Sequence, residues 1–184
     1  NKHYGANWNR VTDEALGGWQ ISGNVLVASG FPITIYVNPN DNLNTAADSF
    51  NYNGYTHANK YRSLKIVNRS RLKWFGTDPS ATPCTVPGSR INSLGAACAY
   101  GAPLFNQFGT ASNNTERAPH SNNVDLSLFK AFRTVGDQNL TLRADAFNAF
   151  NNVNFGAPVA RVGKSTFGQI TNVLSAPRQL QISA

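Results

Sequence analysis

An all-β fold of antiparallel, up-and-down strands is the architecture this sequence predicts, and three observations carry the expectation. Apolar residues recur with period two in four separate segments. The 184 residues include 24 Asn, 15 Gly and 9 Pro, which is turn chemistry rather than helix chemistry and argues against helix bundles and coiled coils. No apolar run approaches the roughly 18 residues of a transmembrane helix, a test that is blind to transmembrane strands, whose signal is weaker. Charged residues make up only 14% and the net charge is +7, so charge repulsion does not hold the chain unfolded.

The first strand is expected over 19–37, WQISGNVLVASGFPITIYV. Trp19, Ile21, Val25, Val27, Phe31, Ile33, Ile35 and Val37 fall on one face, and Gln20, Ser22, Asn24 and Thr34 on the other. This is longer than globular strands usually run, and Pro32 argues for an edge, a bulge or a break within it. A second strand, over 123–133, alternates Val124, Leu126, Leu128 and Phe132 with Asp125, Ser127 and Ala131. Lys130 falls on its apolar face, where a membrane boundary would let its stem snorkel to the headgroups. The short TVGDQ segment at 134–138 then predicts a hairpin into a third strand over 139–150. There Leu140, Leu142, Ala144 and Ala146 oppose Thr141, Arg143 and Asp145; a helix over 142–150 is the competing reading, since RADAFNAF contains good helix formers. The last strand, over 178–184, alternates Leu180, Ile182 and Ala184 with Gln179, Gln181 and Ser183.

Between the first two strands lies a connection over 38–122, too long for a compact domain in water. Outer-membrane barrels combine such long loops on one side with short turns on the other. Cys84 and Cys98 lie in its Pro/Gly-rich part, read as irregular, where an even count suggests one disulfide and an oxidising compartment. The absence of Met and of a signal peptide ahead of Asn1 leads us to expect a piece of a longer chain.

No GxSxG, HExxH, P-loop, paired CxxC or GxGxxG pattern is present, so neither a catalytic residue nor a cofactor or metal is expected. His3, His57 and His120 are far apart and have no metal-ligand spacing. Asp125, Arg143 and Asp145 read as an ion-pair network on the polar face of the hairpin. The densest charge feature is KYRSLKIVNRSRLK at 60–73, with Lys60, Arg62, Lys65, Arg69, Arg71 and Lys73 and no acidic residue, flanked by Trp74 and Phe75. Such a stretch can bind nucleic acid, meet the anionic sugars and phosphates of an outer leaflet, or form a solvated face.

Five blocks in order, GGWQISGNVLVASGFPITI at 17–35, NNVDLSLFKAFRT at 122–134, LTLRADAFNAFNNVNFGAP at 140–158, TFGQITNV at 166–173 and PRQLQIS at 177–183, resemble the C-terminal end of Oar-like TonB-dependent outer-membrane receptors. The resemblance implies that 1–184 is the C-terminal portion of a transmembrane β-barrel with 38–122 as one long extracellular loop. It implies active substrate uptake at the bacterial outer membrane. The expected partners are outer-membrane lipid and lipopolysaccharide, the rest of the receptor including its plug, and TonB through an N-terminal part not in this sequence. Gln20, Asn24, Asp125, Arg143 and Asp145 would face the lumen. The family ends its last strand on an aromatic residue, whereas the last residue here is Ala184. Two other readings stay open: a secreted β-rich module that self-assembles through its strand edges, and a hydrolase built from loop residues such as His57, His120 and Asp78.

Overall fold

The computed structural model describes residues 9–37, 56–105, 107–133 and 139–184. His3 and residues 134–138, where the sequence predicts a hairpin turn, lie outside the described residues, as do residues 38–55 of the long connection. The chain forms two compact units, one of residues 1–28, 121–154 and 174–184, the other of residues 29–120 and 155–173.

The first unit opens with a short helix, α1 (Arg10–Leu16). Its N-cap is Asn9, whose Oδ1 accepts the Thr12 amide at 2.8 Å. The rest is a four-stranded antiparallel sheet of β1 (Trp19–Ala28), β8 (Ser121–Arg133), β9 (Asn139–Phe147) and β11 (Gln179–Ser183), in the order β1-β8-β9-β11. Between β1 and β8 the described residues form six two-residue strands: β2 (Pro32–Ile33), β3 (Tyr36–Val37), β4 (Thr56–His57), β5 (Asn59–Lys60), β6 (Tyr100–Gly101) and β7 (Glu116–Arg117). Another, β10 (Arg161–Val162), precedes β11.

Register keeps the two faces of the large sheet distinct across all four strands. Ile21 stands opposite Leu128, Leu128 opposite Ala144, and Ala144 opposite Ile182. One step along, Ser22, Ser127, Asp145 and Gln181 form the matching row on the other face. A slip of one residue in any strand would exchange its faces. The apolar face is uncovered, with Ile21, Val25, Val27, Leu180 and Ile182 among its exposed side chains. Moving each into an apolar surrounding is worth roughly 1.5–3 kcal/mol, so a handful of them matches the whole stability of a typical domain, about 5–15 kcal/mol. Such a face belongs against hydrocarbon.

The single strand expected over 19–37 is not formed. β1 stops at Ala28, and residues 32–33 and 36–37 pair elsewhere, with β7 and with β4 and β10. Gly30 explains the break, because a Cβ there would sit 1.7 Å from the Ala118 carbonyl oxygen, and Pro32 has no amide to extend a ladder. The third strand ends at Phe147, where Asn148 adopts a left-handed φ of 49° and begins a turn, so 148–150 leave the strand. The competing helix over 142–150 does not form, since cross-strand pairing to β8 and β11 overrides the local propensity. The last strand covers Gln179–Ser183 rather than 178–184; Arg178 instead donates its amide to Asn151 Oδ1 at 3.1 Å. Lys130 also departs from expectation. It is buried, and its Nζ donates to the Gly17 carbonyl and lies 5.2 Å from the ring centres of Trp19 and Phe132, so a backbone acceptor and two aromatic faces hold the ammonium in place of headgroups.

In the second unit, the long connection is folded where it is described. Ile33, Ile35, Val37, Ala58, Phe75, Tyr100 and Val162 form a buried core. β3 is flanked by β4 and, in parallel, β10, while β5 pairs with β6. Cys84 and Cys98 are joined in a disulfide with Cα atoms 5.8 Å apart. Closing a loop of this size stabilises a fold by about 3 kcal/mol on the chain-entropy account. The buried Tyr100 hydroxyl donates to Glu116 Oε1 at 2.6 Å; burial first, and then this carboxylate, push the phenol well above its ordinary pKa.

Candidate functional site

The sheet's polar face brings together the five residues that the sequence marks as lumenal. Gln20 and Asn24 on β1 stand opposite Phe129 and Asp125 of β8, and Phe129 in turn stands opposite Arg143 of β9. Asp145 is the centre of this face. Its Oδ1 accepts from Ser127 Oγ at 2.5 Å and from Arg143 Nε at 2.9 Å, and its Oδ2 lies 2.7 Å from the same Nε. The Arg143 guanidinium also lies 4.9 Å from the Phe129 ring centre. Asp145 is buried while Arg143 is about half exposed, so the carboxylate is neutralised and the cation remains reachable. Asp125 forms a separate node, accepting at Oδ1 from Asn123 Nδ2 at 2.9 Å and from the Asn148 amide at 2.8 Å.

Above Asp125 the same unit forms a recess of about 390 Å³ lined by Ser121, Asn123, Phe147, Asn154 and Gln179, among others. Its walls depend on asparagines whose role the sequence did not reveal. Asn148 Nδ2 donates to the carbonyls of Asn152 and Ala176, and its Oδ1 accepts the Asn152 amide. Asn154 does the same for Asn122, accepting its amide at 2.9 Å and donating to its carbonyl at 2.8 Å. The available signal was their density after the strand that ends at Phe147, NAFNNVN at 148–154.

The basic stretch 60–73 does not present six free cations. Lys60 turns toward Glu116 at 3.9 Å and lies 5.5 Å from the Tyr100 ring centre, and Lys65 pairs with Asp78 at 3.5 Å. Arg69 stacks over Trp74 at 4.4 Å. Arg62, Arg71 and Lys73 have no acidic partner among the described residues.

Two residues of the hydrolase reading, His57 and Asp78, are held by different groups. His57 Nδ1 bonds the Ala111 carbonyl oxygen at 2.6 Å, and His120 is exposed. Asp78 accepts the Ser80 hydroxyl and amide at 2.7 and 3.0 Å. These bonds first, with Lys65 beyond them, hold its carboxyl below the usual carboxylate range. No group of three or more potential metal ligands exists among the described residues, and no helix there is long and apolar enough to cross a membrane.

A strand-built sheet, with exposed apolar residues on one face and a polar network on the other, has the pattern of a membrane-barrel wall. A family model described as "Outer membrane beta barrel domain" matches residues 1–181, and the chain belongs to that family. Its place is the bacterial outer membrane, which overturns the secreted alternative. No curated protein and no solved structure matches the chain.

Proposed function

We propose that this chain is the C-terminal barrel segment of a TonB-dependent outer-membrane receptor, a transporter rather than an enzyme, working without a resident cofactor. The carrying observation is the in-phase division of four strands into an apolar and a polar face, in a chain whose five sequence blocks resemble that end of such receptors. Support also comes from the disulfide-bearing segment 29–120 that the chain carries between the neighbouring strands β1 and β8, where the resemblance to such receptors implies an external loop.

On this reading the apolar face meets lipid, and Gln20, Asn24, Asp125, Arg143 and Asp145 line the lumen. Barrels of this class have about 22 strands, and every strand edge in hydrocarbon needs a neighbour. The outer edges of β1 and β11 therefore pair with other barrel strands of a longer chain, which also carries the plug and the TonB-contacting segment. Arg62 and Arg71 are the cations suited to the phosphates of lipopolysaccharide.

The test uses an antibody to a peptide from the long connection on fractionated cells, with in-cell cross-linking to TonB. The reading expects a polypeptide several times longer than 184 residues in the outer-membrane fraction, cross-linked to TonB. An outer-membrane species that never cross-links to TonB would contradict the receptor assignment while leaving the barrel intact.

A further inference from the structure

The unit of residues 29–120 and 155–173 contains an open recess of about 460 Å³, within the roughly 300–1,000 Å³ range of small-molecule sites. Turns pinned by backbone hydrogen bonds build it. The Trp74 amide donates to the Gly168 carbonyl and the Gly168 amide to the Val159 carbonyl, both at 2.8 Å. Gly168 takes a left-handed φ of 76°, and a Cβ there would press on the Phe75 ring at 3.0 Å. A third wall comes from the disulfide-closed segment, which contributes Thr85, Ser93 and Leu94. Asn92 braces that wall with all four of its side-chain bonds made, donating to the Pro79 and Thr82 carbonyls and accepting from the Leu94 and Ala96 amides.

The recess has a clear charge preference. Its carboxylate, Asp78, is occupied by Ser80 and by Lys65. Its other two charged residues, Lys73 and Lys164, have no acidic partner among the described residues. Two ammoniums without an acidic partner among the described residues favour an anion over a cation. The remaining lining mixes hydroxyl groups, such as those of Thr82, Thr85 and Ser165, with apolar surface from Leu72, Leu94 and Phe167. Hydroxyls in number suit a ligand that is itself hydroxylated, and the apolar patches suit the C–H faces of a small ring.

We propose that this recess binds a polyhydroxylated anion of monosaccharide size, its phosphate or carboxylate held by Lys73 and Lys164 and its hydroxyls by the Ser and Thr side chains. The site needs no transport activity to exist, so it stands or falls separately from the receptor reading.

The experiment is calorimetric titration of the full-length protein in detergent with glucose 6-phosphate, glucuronate and glucose. Both anions should bind saturably and more weakly as salt rises, with glucose weaker by about tenfold or more, the worth of a charge-assisted contact. The double variant Lys73→Ala/Lys164→Ala should lose about tenfold or more in affinity for the anions, whereas Arg90→Ala, at an exposed position outside the recess, should not. Both altered lysines are exposed, and an intact disulfide on a non-reducing gel checks that the variant is folded. If phosphate is preferred over carboxylate, or the reverse, the stronger anion identifies the ligand class. Absence of saturable binding by either anion, equal affinity for glucose, or full affinity in the folded double variant would overturn the proposal.

Discussion

In the four-stranded sheet Ile21 and Ile182 are 77% and 82% exposed, whereas in the unit of residues 29–120 and 155–173 Ile35 and Val37 are 0% and 2% exposed. The same residue types thus meet two different surroundings within one chain. The sheet turns apolar side chains such as Ile21 and Ile182 outward and gathers Asp125, Arg143 and Asp145 on the other face, while Lys130 lies buried on the apolar side; the second unit buries a core of alanines, valines and aromatics, as proteins in water do. Two solvents explain both patterns. On the proposed reading, lipid accepts the exposed face of the sheet, and water surrounds a unit that has its own core and a disulfide.

That contrast can be broken from either side. The largest effect is expected for Leu128→Arg on the apolar face: a charge there should cost roughly 2–4 kcal/mol near the bilayer midplane. Urea unfolding in lipid vesicles measures it. Val86→Arg, at an exposed position of the second unit, should change stability by less than about 0.5 kcal/mol. Equal penalties at both positions would erase the distinction between the two solvents.

Next comes Cys84→Ser/Cys98→Ser, which should destabilise the second unit by about 3 kcal/mol and leave the pairing of β1, β8, β9 and β11 unchanged. Protease nicking within 85–97, compared with heat-modifiable migration of the barrel, separates the two effects. Asn92→Ala should cost about 1–3 kcal/mol, since it removes the four hydrogen bonds through which this buried side chain satisfies the surrounding backbone, and hydrogen exchange at Leu94 and Ala96 should rise with it.

The smallest effect is a pH dependence confined to the second unit. Asp78 titrates below the ordinary aspartate value of about 3.9 because Ser80 and then Lys65 favour its charged form. Its contribution to stability is therefore present above the unfolded-state value and lost as pH falls through the lower folded-state value. Thermal melts near neutral pH and in acid should differ less for Asp78→Asn than for the parent chain.

Much of the sheet was legible because its period-two pattern is dictated by one wet and one greasy surface, as the rows through Ile21 and Ser22 show. The end of β1 was not, because Ile33, Ile35 and Val37 continue the same parity while packing into a different core. Only Pro32 hinted at the break; Gly30 acts through the close approach of Ala118, which sequence spacing does not contain. Similarly, the helix-forming residues of β9 yield to cross-strand partners that are distant in sequence. The polar network at Asp145 could be anticipated from residues on one hairpin, whereas the recess beside Lys73 and Lys164 depends on segments brought together from three parts of the chain. Asparagine abundance signalled turns, and Asn68, Asn114, Asn148 and Asn151 do adopt left-handed backbone there. Its second use, side chains clasping backbone across turns, is a tertiary property.

The central claim is that one face of this sheet meets lipid and the other does not. Single cysteines placed in turn at Ile21, Ser22, Ser127 and Leu128, labelled with a fluorophore in reconstituted vesicles, test it directly. Brominated lipid should quench the probes at 21 and 128, while an aqueous quencher should reach those at 22 and 127. Equal quenching at all four positions, or the reverse alternation, would contradict it.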